Sequence, residues 1–503
     1  MTKSRKIIVN KLIDDNSSEF DYKNKETAII LAAGHGKRIK SQTSKMLHKI
    51  WRKSTVQRVF EACKNGLPKS NSIIVTGIKA EDVIEVIGRK KNNLFAFQEE
   101  QNGTGHAVQI ALQKIEKKKF DGIVYILPGD MGLIDEQTMK MFRKEFIKSK
   151  TDMMVLTGMY EGDPSENSYG RIVRVKNMDD AGKPAGQDAG KVIEIMEHKD
   201  ILSIDSNKPL VRKFNGKNYS FSREELIKNN EFNSGVFAFK FEYLVKLISK
   251  IKSDNVQGEI YITDLIALFN KSGLTVGAVS AKQQHVIMGF NNKSVLKEMD
   301  AIARKLVYEQ VKDIIVIADP DDFFIDDEVI KEIVKMDKKG KPLDIKIGKG
   351  VHVGKGVRLN YNLKLRKNVY VEGNVKFGQN VIVGENVHLS CFPNQKLELQ
   401  DNVEILWGDL IKGNIIIGKN SRIESSVNIT GSDEYPTVIG KNVTIKGTSY
   451  LFGSIVDDDL FIEHSVLIKK KVDKLIRKDG EIQKIRFFLP MPEGIDTIED
   501  LKN

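Results

Sequence analysis

Short apolar runs separated by longer amphipathic stretches mark the first half of the chain. Ala28-Ile29-Ile30-Leu31 ends at glycines, and Ser72 to Val75 and Gly122 to Leu127 repeat the pattern with helical stretches between them. Strands spaced in this way by helices predict a parallel, helix-covered sheet. Ligands of such sheets bind outside the carboxyl ends of the strands, so the residues just past Leu31 and Leu127 are the first candidates for chemistry. The first 25 residues are polar and unpatterned and read as a mobile extension, with order starting at Thr27. Between Asn292 and Asp313, Val295, Met299, Ile302, Leu306 and Val307 fall at helical spacing without glycine or proline, which predicts a connecting helix.

After Leu343 the period changes. Ile345, Val351, Val357, Leu363, Val369, Val375, Val381 and Val387 recur every six residues, and Gly or Asn usually closes each unit, as in VHVGKG, VKFGQN and VIVGEN. Six residues per flat side and three sides per coil describe a left-handed parallel β-helix of hexapeptide repeats. A run of hairpins with glycine turns is the alternative, and it would not hold so strict a period. The pattern lapses at Ser390 to Lys396, as expected of a loop leaving a coil, then resumes in LELQDN, IIIGKN and VTIKGT. From about Val472 the hexad is lost, and this stretch is expected to pack on the coil or on another chain. The expected division is therefore a polar extension (1–25), an α/β domain (26–292), a linker helix region (293–340), the β-helix (341–471) and a tail (472–503).

Composition narrows the class. The 503 residues include two cysteines, Cys63 and Cys391, too few and too far apart for a disulfide framework or a cysteine-rich zinc site. No uncharged apolar run approaches the ~18 residues of a membrane span, and the start MTKSRKIIVNKLIDDNSSEF has no signal-peptide core, so a cytoplasmic protein without membrane contact is expected. The net charge of +12 raises nucleic acid as a partner, but its distribution argues against one. From Lys341 onward there are 24 Lys and Arg against 21 Asp and Glu, and runs such as Lys117 to Lys119 and Lys469 to Lys471 carry no interleaved aromatics. These read as solvated surface. A basic surface also draws in a phosphorylated small substrate.

The loop after the first run, Leu31-Ala32-Ala33-Gly34-His35-Gly36-Lys37-Arg38, is not a dinucleotide fingerprint, because Ile39 stands where a glycine is needed. Nor is it a phosphate loop of the nucleoside triphosphatases, because Leu31 stands where that pattern has its first glycine. Glycines still let backbone N–H groups approach an anion, and Arg38 and Lys45 would flank it. Taken alone, the loop is better read as a glycine turn with solvent-facing cations.

The wider constellation resembles the L-A-A-G-x-G-T-R-M…P-K-x-L-H signature of sugar-1-phosphate nucleotidylyltransferases, in particular the bacterial bifunctional N-acetylglucosamine-1-phosphate uridylyltransferase/glucosamine-1-phosphate acetyltransferase family. Matching strings follow in order: the run Gln98 to Ala107, Gly129-Asp130, Tyr169-Gly170-Arg171-Ile172, Glu197-His198-Lys199-Asp200, Asn233-Ser234-Gly235, Gly258 to Asp264 and Gly289-Phe290-Asn291-Asn292. The likeness runs from about residue 27 to 330 and is only architectural beyond. It implies a Rossmann-like nucleotide-diphospho-sugar transferase domain and attack by a sugar-1-phosphate oxygen on the α-phosphorus of UTP, expelling pyrophosphate. Arg38 and Lys45 would be catalytic, contacting the triphosphate. Ala32, Ala33, Gly34, Lys45, Gln98, Gly103 and Thr104 would bind the nucleotide, and Gly170, Glu197 and Asn233 the sugar. Asp130 and Asn291 would hold Mg²⁺.

Plainer roles stand beside these: Asp130 as a cap for the helix near Asp135, Asn291 as a turn residue, Thr104 as an N-cap and Asn233 as a strand-end residue. His35, His48, His106 and His198 are not spaced as a metal cluster. The sequence departs from the family pattern at Lys37, Ser44, Pro128 and Gly132, and the loss of two prolines loosens two loops while the charged and polar groups remain. The resemblance also implies a homotrimer through the β-helix. The arginine-proline, G-N-F-V-E-x-K and N-Y-D-G segments of the family's acetyltransferase site are missing after Leu343, and His352, His388 and His464 sit in no matching context, so that second activity is expected to be absent. Two other readings are the same chemistry on another hexose-1-phosphate and a non-catalytic regulatory subunit that binds a sugar nucleotide.

Overall fold

The computed structural model describes residues 3–34, 36, 39–251 and 258–488, which form two compact units, 1–300 and 301–503. In the first unit the expected apolar runs become strands β1 (Glu26–Ala32), β2 (Ser70–Thr76), β3 (Asn93–Phe97) and β4 (Ile123–Pro128). They pair in parallel in the order β3-β2-β1-β4. The sheet then departs from a purely parallel one. Strand β5 (Met153–Met159) reaches β4 only through β6 (Glu231–Lys240), which runs antiparallel to both, and β7 (Val276–Ser280) closes the far edge parallel to β5. The alternation in EFNSGVFAFK puts Phe232, Val236 and Ala238 on one face and Phe237 and Phe239 on the other, so this strand is buried on both sides.

Helices cover each face. Thr55–Gly66, Ala80–Ile87 and Glu136–Ser149 bury Val56, Phe60, Ile84, Phe142 and Phe146 in one core, and Thr104–Leu112, Phe241–Ile248 and Leu265–Lys271 bury Val108, Leu244, Leu247 and Phe269 in the other. The expectation of a mobile, unpatterned amino-terminal extension is corrected. Lys3–Asn16 is a helix, α1, that buries Val9 and Ile13 against the first core, and Ser17 and Ser18 follow it onto β3. Val9 and Ile13 are buried with Leu12 packed beside them, while Ile7 and Ile8 stay exposed, so apolar residues off the contact face blur the stripe as a period.

The helix Lys293–Val311 matches the expected connecting segment. Beyond it the expected linker is corrected: Val316–Ile317 and Phe323–Ile325 already pair in parallel with Lys346–Ile347 and Val351–Val353, so coiling starts before residue 341, with the helix Asp327–Asp337 inserted between. The second unit is a left-handed parallel β-helix whose described residues form three sheets of eight, eight and six short strands. Its inward hexad positions from Ile345 to Val387 are at most 4% exposed. At one corner Asn362, Asn380, Asn402, Asn420 and Asn442 all take φ between 54° and 61°, a left-handed conformation that Asn tolerates better than other side chains with a Cβ. Their amides form a ladder, each Nδ2 donating to the Oδ1 one coil on at 2.8–3.0 Å, and Asn442 ends it on Asp459. The ladder steps 18 residues, or 22 where a coil contains Ser390 to Lys396 or Gly431 to Pro436, so each lapse is a four-residue excursion that leaves the corner in register. The tail folds back on the end of the coil through Ile485 and Phe487, which pair with Phe461, Glu463 and Val466. Among the described residues, no helix is long and apolar enough to cross a membrane.

Among the described residues, one of the buried polar side chains of the coil is ionisable. Asp409 is 1% exposed; its Oδ1 accepts from Val427 N at 2.7 Å, and its Oδ2 has no partner among the described residues. Burial pushes its carboxyl up to about 7. A carboxyl raised in the fold stabilises it fully only below the unfolded value near 4, and that contribution is lost as pH rises towards and through 7. Asp409→Asn keeps the acceptor and removes the buried charge. Thermal unfolding should show this variant more stable than the parent at pH 8, by on the order of 2 kcal/mol, with the gap closing towards pH 5.

Candidate active site

Because β1 and β4 are parallel neighbours, the loops leaving them emerge side by side. Gly129 N donates to Leu31 O at 2.9 Å, which sets Asp130 beside the glycine loop. Lys45 opens a short 3₁₀ turn, Lys45–Leu47, after the buried Ser44. Its ammonium pairs with Asp130 Oδ2, donates to Asn291 Oδ1 at 3.0 Å and lies 5.3 Å from the centre of the buried Phe290 ring. Gly36, at φ 79°, packs so closely on Lys45 that an added Cβ would fall 2.8 Å from the lysine Cβ. Lys45, Asp130 and Asn291, widely separated in sequence, thus form one contiguous cluster, with the lysine and aspartate side chains only 14% and 13% exposed. The helix Glu136–Ser149 is capped by Asp135, whose Oδ1 accepts from Thr138 N at 2.7 Å, so Asp130 is not its cap. Arg38 lies outside the described residues.

A second group lines the loops after β2 and β3. Gln101 Nε2 donates to Ala33 O at 2.5 Å, tying the string Gln98 to Ala107 to the loop Ala32-Ala33-Gly34. Gln98 is buried; its Nε2 donates to Gly103 O and meets His106 Nδ1, both at 3.2 Å. Gly103 takes φ 98° and its Cα faces Ile260 O, with room for no side chain. The helix Thr104–Leu112 is capped by Gly103, so the expected Thr104 cap is corrected: Thr104 Oγ1 instead accepts from Ile262 N at 3.2 Å.

The third group is built on β6. Asn233 N donates to Gly170 O at 2.8 Å, Asn233 Oδ1 accepts from Gly235 N at 2.8 Å across a bulge, and a Cβ on Gly170 would sit 3.2 Å from Glu197 Oε1. Asn233 therefore sits in a strand irregularity, with its side chain turned to the local backbone. Burial, helped by the charges of Asp200 and Asp264, lifts the Glu197 carboxyl to about 7. Tyr169 OH donates to Gly289 O at 3.3 Å, and Gly289 in turn faces Asp130, which links this group to the lysine cluster.

Two structural members were not singled out from the residues. Arg171 is wholly buried and donates to the carbonyls of Pro164, Asn167 and Tyr169, shaping the loop before Gly170 without a carboxylate partner among the described residues. Phe290 floors the lysine; its place between Gly289 and Asn291 in a matching string was the available signal.

The description "Nucleotidyl transferase" belongs to the family whose profile matches residues 27–285, slightly more than half of the chain. The chain is 34% identical over 304 residues to a bifunctional protein GlmU of Clostridium tetani, covering 60% of this chain and 58% of that protein. It is 34% identical over 307 residues to a bifunctional protein GlmU of Acetivibrio thermocellus, covering 60% and 57%. The aligned part thus spans somewhat over half the length of the curated relatives. A solved structure of UDP-glucose pyrophosphorylase complexed with UDP-glucose aligns with a TM-score of 0.39 at 15% identity, covering 56% of this chain and 99% of that one, too remote to carry weight. With a matched profile that contains the glycine loop, Lys45 and Asp130, the chain belongs to the nucleotidyl transferase family, and its matched segment is similar to the corresponding part of the bifunctional GlmU proteins.

Proposed function

We propose that the protein is a Mg²⁺-dependent uridylyltransferase that makes UDP-N-acetylglucosamine and pyrophosphate from UTP and N-acetylglucosamine-1-phosphate. The observation that carries the reading is the convergence of Lys45, Asp130 and Asn291 at the carboxyl ends of β1 and β4, beside the loop joined by Gln101 to the Gln98 string. The second pKa of a phosphate monoester is about 6, so the attacking oxygen is already anionic at neutral pH and needs no strong base. It forms a new bond to the α-phosphorus as the bond to the departing pyrophosphate breaks. The protein's work is to hold two anions together and to offset charge as it develops. Lys45 supplies a positive charge from a pocket that shields it from water, and Arg38 is assigned to the triphosphate by motif. Backbone groups of Ala32, Ala33 and Gly34, with Gln98, Gly103 and Thr104, are assigned to uridine, and Gly170, Glu197 and Asn233 to the sugar.

Asp130 and Asn291 are the proposed magnesium ligands, and two oxygen donors meeting on one cation fit a metal that completes its shell with phosphate oxygens and water. When bound, the ion would neutralise phosphate charge. The β-helix is proposed to join three chains, without acetyltransferase chemistry. Each of its histidines is locally engaged: His352 stacks between Phe324 and Tyr370, His388 stacks on Tyr370 and meets Ser390 Oγ at 2.9 Å, and His464 Nδ1 meets Thr448 Oγ1 at 2.8 Å.

Pyrophosphate release measured over a panel of nucleoside triphosphates and sugar-1-phosphates should be fastest with UTP and N-acetylglucosamine-1-phosphate. Equal turnover with another nucleotide, or preference for glucose-1-phosphate, would overturn the corresponding half of the assignment. Asp130→Asn preserves shape but removes charge, and should lower kcat at least ~100-fold at saturating Mg²⁺ with little change in melting temperature. An unchanged rate would remove Asp130 from the site. Incubation with acetyl-CoA and glucosamine-1-phosphate should release no thiol above background; release at a rate comparable with uridylyl transfer would reveal a second site.

A further inference from the structure

Strand β3 is the edge of the sheet, and an exposed edge normally needs cover. The first half of its outward backbone is satisfied by the amino-terminal segment. Asn93 N donates to Ser18 Oγ at 2.8 Å, Phe95 N donates to Ser17 Oγ at 3.0 Å, and Ser18 N donates to Asn93 O at 2.8 Å. Val9 and Ile13 of α1 are buried beside it, so the segment 9–18 is fastened to the strand that runs directly into Gln98.

The first turns of α1 reach further. Arg5 forms a two-pronged pair with Glu81, at 2.7 and 2.9 Å, and also donates to Ile78 O in the loop after β2. That loop includes Gly77, which packs on Ala33 so tightly that an added Cβ would fall 2.4 Å from Ala33 O. Lys6 pairs with Glu99, immediately after Gln98 in the loop that follows β3. Consecutive cations on one helix therefore hold both loops that border the glycine loop: one through Gly77 and Ala33, the other through Glu99 and Gln98.

We infer that α1 is a positioning element of the nucleotide site, and that Arg5 and Lys6 fix the spacing between the two loops that receive the nucleoside. The inference rests on assigning Ala32 to Gly34, Gln98 and Gly103 to the nucleotide. Neither Arg5 nor Lys6 touches those groups directly, and both pairs are partly exposed, so each alone contributes modestly. Their effect would come through the loops, on nucleotide affinity more than on the chemical step.

The test is steady-state kinetics on the full chain carrying Arg5→Met, Lys6→Met, both together, Lys6→Arg and Glu99→Gln. The double variant should raise KM for UTP about fivefold to tenfold while kcat and KM for the sugar-1-phosphate stay within about twofold, as expected when ~1 kcal/mol of binding is lost. Lys6→Arg should behave as the parent. Glu99→Gln should reproduce Lys6→Met, and combining those two should add nothing further. A KM for UTP unchanged in the double variant would overturn the inference, as would a fall in kcat that matches a loss of folded protein by circular dichroism. If the parent prefers another nucleotide, the uridine assignment fails, and the same comparison made with that nucleotide still decides the role of α1.

Discussion

The parallel pairing of β1 with β4 is the constraint on which the site depends. Strands that run the same way deliver their carboxyl ends to the same edge, and the Gly129 to Leu31 hydrogen bond fixes the two exits side by side. The glycine loop, Lys45 and Asp130 then share one space, although about a hundred residues of chain lie between the first and the last. Burial on both faces of the sheet keeps this edge rigid, because neither strand can slip register without moving apolar side chains out of a core. A lysine held by an aspartate and an asparagine over an aromatic ring is thereby fixed in place before any substrate arrives.

The second unit relies on a different repetition. Aliphatic side chains fill the coil and asparagines turn one of its corners in a left-handed conformation, each bonded to its equivalent in the next coil. Such a ladder tolerates excursions as long as the corner returns to register, which explains how two four-residue loops leave the column intact. The buried Asp409 stands out against this background: burial disfavours its charge more than the backbone donors at Val427 and Ser426 favour it.

Much of both units was legible in the residues. Strong apolar runs located β1, β2 and β4, the hexad located the coil, and the glycine loop with its matching strings directed attention to Lys45, Asp130 and Asn291. Less was legible where tertiary contacts override a weak local signal. Helix α1 turns Val9, Leu12 and Ile13 to the core but also carries Ile7 and Ile8 exposed, so its pattern marks no clean stripe, and its stability comes from docking beside β3. The antiparallel β6 was missed because strand direction is not encoded in apolar alternation. The first coil before residue 341 was missed because the helix Asp327–Asp337 separates its two short strands from the hexads that follow.

The residues in their order set the periodicities, and with them the two architectures, because burial of apolar side chains at intervals suited to a helix-covered sheet or to a hexad coil admits few arrangements. It also supplied the chemical groups and the order of the motifs that carry them. Only the tertiary structure decided which groups meet: that Asp135, not Asp130, caps the helix, that Asn291 shares a lysine with Asp130, and that Gln101 closes on Ala33. The last two are contacts between residues far apart in the chain, and their geometry is set by strand pairing and core packing that no local pattern contains.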